Sequence, residues 1–171
     1  MGTTVTYKCH DCGYSKQLHL GIGMMYPRVS DAMKEAVASG EYGAELKGAF
    51  EGCELPAVRP EDMVYICPSC GSWDVFRNAS VYEPTDIEAA KKEQFGTKTV
   101  EEWDGIPYVT GWEIESGKYR LVSSYLPRCP ECGDGMHPLP VGPEGKMDAS
   151  LLKCPRCGSS NSAVDVSGFW D

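Results

Sequence analysis

The 171-residue sequence has no apolar run approaching 18 residues, so none of its helices is expected to span a membrane. Histidine is scarce. His10, His19 and His137 are the only three, and no catalytic constellation accompanies them, so the chain is not expected to be an enzyme. Cationic side chains are also in short supply, with 16 Lys and Arg against 25 Asp and Glu and a formal charge of −9. That balance opposes the phosphate neutralisation on which nonspecific nucleic-acid binding depends. From Met1 to Tyr14 there is no cationic start followed by an apolar stretch, so no secretory signal is read and a cytoplasmic protein is expected.

Cysteine, by contrast, is abundant and regularly placed. Eight of the nine cysteines fall into four C-x-x-C-G knuckles: Cys9 and Cys12, Cys67 and Cys70, Cys129 and Cys132, Cys154 and Cys157. A two-residue gap turns both sulfurs toward one ion, and the following glycine admits the left-handed backbone that aims N–H groups at the thiolates. Gly13, Gly71, Gly133 and Gly158 fill that position, and Pro68, Pro130 and Pro155 follow the first cysteine in three of the knuckles, where His10 stands in the other. Disulfides would need an oxidising compartment, and a redox C-x-x-C usually occurs once. Two four-thiolate metal sites with all eight cysteines as ligands are therefore expected. Zinc is the default ion, and iron is the competitor because tetrahedral sulfur sites suit it as well. Eight metal-bound thiolates and two divalent ions would take the formal −9 to about −13.

Spacing suggests local pairing. Between Cys12 and Cys67 lie 54 residues, between Cys70 and Cys129 lie 58, and between Cys132 and Cys154 only 21. Closing shorter loops costs less entropy. A first ribbon over residues 1–80, a connector over 81–126 and a second ribbon over 127–171 are expected, in a small metal-stabilised α+β fold with short β-hairpins. Val29, Met33 and Ala36 or Val37 recur at helical spacing over Pro27 to Ala38, and Tyr42, Leu46 and Phe50 over Glu41 to Phe50, predicting a helical hairpin inserted in the first ribbon. In the connector, Thr85-Asp86-Ile87-Glu88 is a capping-box pattern opening a helix to about Gln94, and Thr99 to Asp104 suits another turn. Pro107 to Ile114 and Lys118 to Tyr125 alternate like a hairpin around Ser116-Gly117, with Tyr108, Trp112, Tyr119 and Tyr125 as its large residues. Leu151-Leu152-Lys153 and Ser162 to Val166 are expected strands.

The knuckles resemble those of the zinc-ribbon superfamily, over four short motifs rather than the whole length. Tyr7-Lys8-Cys9-His10-Asp11-Cys12-Gly13-Tyr14, and Pro60-Glu61-Asp62 leading to Cys67-Pro68-Ser69-Cys70-Gly71, are also similar to the two knuckles of rubredoxin. That second resemblance implies a single iron held by Cys9, Cys12, Cys67 and Cys70 and used for one-electron transfer. Leu20 to Pro27 and Gly40-Glu41-Tyr42-Gly43 look like segments of uncharacterised bacterial zinc-ribbon proteins, which implies no particular activity.

A zinc-binding adaptor with protein partners is thus the favoured expectation. Rubredoxin-like electron transfer is the alternative. A weaker one is nucleic-acid binding, in which Trp73 would stack on a base beside Lys8, Lys16 and Arg77, with Arg128, Lys153 and Arg156 as further cations. His10 and His137 are close enough to knuckles to replace a ligand or to donate to a thiolate. Cys53 stands apart, and its neighbours Glu51 and Glu54 would raise its pKa and make it a poor nucleophile.

Overall fold

The computed structural model describes residues 2–23, 26–95, 109, 111–139 and 147–170. The expected turn at Thr99 to Asp104 lies outside them, as do Met24, Met25 and Tyr108. Four helices and three small antiparallel sheets are present among the described residues, and no helix is long and apolar enough to cross a membrane. The chain divides into two compact units. One comprises residues 1–24, 61–77 and 126–171, and the other residues 25–60 and 78–125.

The first unit contains all eight knuckle cysteines and two of the sheets. Strands β1 (Gly2–Cys9) and β2 (Ser15–Leu20) form a hairpin around the first knuckle, and β9 (Ser162–Trp170) pairs with the other edge of β1, from Gly2↔Trp170 to Cys9↔Ser162. In the second sheet β4 (Asp62–Ile66) and β5 (Trp73–Arg77) flank the second knuckle, and β8 (His137–Pro138) adds two residues to β4, pairing Tyr65↔Pro138 and Ile66↔His137. A shared core of Val5, Tyr7, Leu18, Val64, Trp73 and Leu152 lies between these strands. The strand expected at Leu151 to Lys153 is instead a 3₁₀ turn over Ala149–Leu151, because Asp148 accepts a hydrogen bond from Ser150 N–H and caps it.

The second unit joins the helical hairpin to the connector, rather than leaving the hairpin as an insertion in one ribbon. Helix α1 (Tyr26–Ser39) ends in a Schellman motif: Gly40, at φ +90°, donates to Val37 and Glu41 donates to Ala36. Helix α2 (Ala44–Glu51) starts three residues later than the apolar spacing suggests, because Gly43 at φ +102° breaks the backbone first. Met33, Val37 and Leu46 from these helices pack with Val58, Ala79 and Val81. Strands β3 (Ala57–Val58), β6 (Val81–Pro84) and β7 (Tyr119–Ser123) make the third sheet. Helix α3 (Ile87–Phe95) is capped by Asp86, which accepts from Ala89 N–H, while Thr85 donates to Gly117. The expected hairpin around Ser116-Gly117 is not formed. Gly111–Glu115 is a short helix, α4, and Gly117 at φ +75° terminates it by a second Schellman motif, with Gly117 donating to Ile114 and Lys118 to Glu113. The alternation after Gly117 does give a strand, but its partner is β6.

Candidate metal centre

All four knuckles have one backbone design. The first cysteine donates its N–H to the residue five positions on (Cys9 to Tyr14 2.8 Å, Cys67 to Ser72 2.8 Å, Cys129 to Asp134 2.7 Å, Cys154 to Ser159 2.7 Å). Its carbonyl accepts from the knuckle glycine at 2.8 to 3.1 Å, and those glycines sit at φ +69° to +79°. A side chain with a Cβ resists that left-handed geometry, which explains the glycine in each motif.

The knuckles meet in an order that differs from the expected one. Cys9, Cys12, Cys154 and Cys157 form one group, and Cys67, Cys70, Cys129 and Cys132 the other, with the sulfurs of each group within 4.8 Å of one another. Local pairing of the first knuckle with the second, and of the third with the fourth, is therefore corrected to a nested arrangement of outer with outer and inner with inner. Strand pairing is the cause. β9 against β1 brings the fourth knuckle to the first, and β8 against β4 brings the third to the second. Loop-closure entropy opposes this only weakly, by about 0.6 kcal/mol per doubling of loop length. The rubredoxin-like ligand set of Cys9, Cys12, Cys67 and Cys70 does not come together, and with it goes the electron-transfer reading built on that set.

Both groups have dimensions suited to a tetrahedral ion. Four thiolates about 2.3 Å from zinc place their sulfurs about 3.8 Å apart. Cys9 and Cys157 are separated by 3.7 Å, Cys12 and Cys154 by 3.6 Å, Cys67 and Cys132 by 3.4 Å, and Cys70 and Cys129 by 3.6 Å. In each knuckle the first cysteine is buried, and the second is half-buried at Cys12 and exposed at Cys70, Cys132 and Cys157. Thus each group could hold a metal ion, its inner sulfurs fixed in the protein and its outer ones near solvent. No histidine belongs to either group: His10 and His137 are exposed, and the His19 ring packs edge-on against Trp170.

Ionisation points the same way. Burial raises the thiols of Cys129 and Cys154, but backbone N–H groups of Glu131 and Cys132 at the one, of Arg156 and Cys157 at the other, together with nearby sulfurs, outweigh it and hold each at about 7. A single backbone N–H, from Asp134 or Ser159, favours the thiolates of Cys132 and Cys157, but neighbouring sulfurs and burial overcome it and push both up to about 12. Four clustered sulfurs cannot all ionise without a cation among them, and a divalent ion removes that conflict.

Two features invisible to spacing surround these groups. Asp11, inside the first knuckle, accepts from Ser159 Oγ at 2.5 Å and Asn161 Nδ2 at 2.7 Å, just beyond the fourth knuckle, while His10 N–H donates to Asn161 O at 2.9 Å. The Ser159 and Asn161 donors hold the Asp11 carboxyl below its ordinary range. Between the groups, a cleft of about 460 Å³ is lined by Cys70, Cys154, Glu131, Lys153 and Arg156. Its two cations suit the −2 charge that four thiolates and one divalent ion would leave at each centre.

The basic patch suggested for nucleic acid is differently built. Trp73 is only 5% exposed and packs on Tyr7, with ring centroids 4.9 Å apart. Lys16 is paired with Asp74 at 2.7 Å, and Arg77 makes two hydrogen bonds to Asp62 at 2.9 and 3.0 Å. A buried indole beside neutralised cations offers no stacking platform for a base.

No known protein family, curated protein or solved structure matches the chain.

Proposed function

We propose that this chain is a zinc protein of zinc-ribbon-like design, in which two closed four-thiolate centres stiffen a scaffold that docks a protein partner in the cytoplasm. The observation that carries the metal-binding part is the convergence of eight thiolates into two groups with tetrahedral sulfur spacings. Zinc is favoured because it takes four thiolates without redox chemistry and stabilises folds with small cores. Four sulfurs leave no open coordination position for a bound water, so the centres would have a structural rather than a hydrolytic role. The adaptor assignment is supported by the net charge of −9, which favours a protein over a nucleic acid as partner, and by exposed Leu121 and Val122 on β7.

Elemental analysis of protein purified under reducing conditions without added metal tests this. Two zinc ions per chain and a colourless solution are expected. Iron in stoichiometric amount, with a red colour that bleaches on reduction, would replace zinc in the assignment, and absence of metal would remove the assignment altogether.

A further inference from the structure

We propose that the two centres divide their labour: the group of Cys9, Cys12, Cys154 and Cys157 holds a permanent structural ion, while that of Cys67, Cys70, Cys129 and Cys132 is an exchange site for a thiophilic divalent ion. This rests on the reading that both groups bind metal.

Three independent differences in the protein around nearly identical knuckles support it. The first lies in how the paired knuckles are joined. Those of the first centre stand at the ends of β1 and β9, which run side by side over the whole length of β1. Those of the second are joined by β8, two residues long and ending in Pro138, and by a backbone bond from Leu139 to Val64. Proline cannot donate to a ladder, so this edge is short by construction.

Side-chain clamping is the second difference. Asp11 crosses from the first knuckle to Ser159 and Asn161 with two charge-assisted hydrogen bonds. Among the described residues, no side-chain hydrogen bond other than the sulfur contacts themselves is found between the second and third knuckles, and Arg128 reaches only Gly133 of its own knuckle.

Burial is the third. Cys9 and Cys154 belong to the hydrophobic core, with Cys12 packed against it and Cys157 alone exposed, whereas Cys67 and Cys129 lie outside that cluster and both of their knuckle partners are exposed. Ligand exchange at a four-thiolate ion begins when one sulfur leaves and an incoming donor takes its place. That step requires an accessible sulfur and a knuckle that is weakly held; Cys157 gives the first centre the former as well, but the short join and the missing side-chain clamp belong to the second centre alone. The ion passes to the incoming ligand with its charge unchanged, and protons from solvent settle on the vacated sulfurs.

The test uses zinc-loaded, full-length protein mixed with a chromophoric zinc chelator. Release of two ions in two phases is expected, the faster leading by at least about tenfold, the factor that one hydrogen bond to a charged group can carry. Alkylation of the wild-type protein after the fast phase, read by peptide mass spectrometry, should label Cys67, Cys70, Cys129 and Cys132 and leave Cys9, Cys12, Cys154 and Cys157 unmodified. Asp11→Ala should speed the slow phase and leave the fast one alone. Release of both ions in one phase, or earlier labelling of the Cys9 group, would overturn the exchange site while leaving two metal centres in place. Freshly prepared protein without metal would overturn both. Should Asp11→Ala not fold, the labelling pattern of the wild-type protein decides alone.

Discussion

Trp73 Nε1 donates a 2.7 Å hydrogen bond to the carbonyl of Lys153, joining the strand that leaves the second knuckle to the residue that enters the fourth. Because these knuckles belong to different cysteine groups, this one bond links the two centres. The Lys153 side chain adds to the link, its Cδ lying 3.1 Å from where a Cβ on Gly71 would stand. Trp73→Phe should cost about 1 kcal/mol through the lost hydrogen bond, and Trp73→Ala about 3–5 kcal/mol through the cavity. Denaturant unfolding of the metal-loaded protein measures both. Equal losses for Phe and Ala would mean that packing of the indole contributes little.

Nested pairing makes a prediction that local pairing reverses. The double variant Cys12→Ser with Cys157→Ser removes two ligands from one group and should still bind one ion per chain. Cys12→Ser with Cys70→Ser damages both groups and should lose both ions. Elemental analysis after purification distinguishes the outcomes. One ion retained by the second double variant and none by the first would restore the local arrangement.

The cysteine motifs disclosed the chemistry of the sites, but not which knuckles share an ion. Each knuckle is a local structure, encoded by two cysteines and a glycine, and Gly13, Gly71, Gly133 and Gly158 all take the left-handed conformation that the motif requires. Pairing is decided by strand partners far apart in sequence. Val5, for instance, lies beside Val166, and nothing in the alternation of either strand identifies the other. Helices α1 and α2 were legible from Met33, Val37 and Leu46, since a helix states its buried face in its own sequence. The Ser116-Gly117 pair suits a hairpin turn and a helix end equally well. The hydrogen bonds from Gly117 and Lys118 decide for the helix end. The Asp11 clamp carried no signal beyond an acid within a knuckle, because its partners Ser159 and Asn161 are about 150 positions away.

In the helical unit, Glu83 is a buried acid with partners that would suffer from its loss. Its side chain is 7% exposed, pairs with Arg120, and accepts the N–H of Glu54 at 2.9 Å. Arg120 is 62% exposed and can return to water, so most of the penalty for Glu83→Ala comes from the stranded backbone donor and the emptied space. A loss of roughly 2 kcal/mol in unfolding free energy is expected, against a smaller loss for Glu83→Gln, which keeps an acceptor. Metal content should not change, because Glu83 is not in the unit that carries the cysteine groups. Loss of an ion in either variant would mean that the two units do not maintain their structures separately.

Cys53 gives a prediction about pH. Burial pushes its thiol pKa up, Glu83 adds to the rise, and Arg120 opposes it. In keeping with a protonated sulfur, Cys53 Sγ donates to the carbonyl of Ala49 at 3.2 Å. A thiol whose folded pKa exceeds its unfolded value of about 8.5 favours the folded state fully below that pH, and the contribution is lost as pH rises through the raised folded value. Stability of the metal-loaded protein should therefore fall on the alkaline side, with a shallower fall in Cys53→Ala. Alkylation supplies the second measurement. At pH 8, with the other eight thiols bound to metal, Cys53 should react more slowly than a small free thiol, and its rate should keep rising beyond the pH at which the small thiol levels off. Reaction as fast as the small thiol, with the same pH profile, would show that neither burial nor Glu83 controls this sulfur.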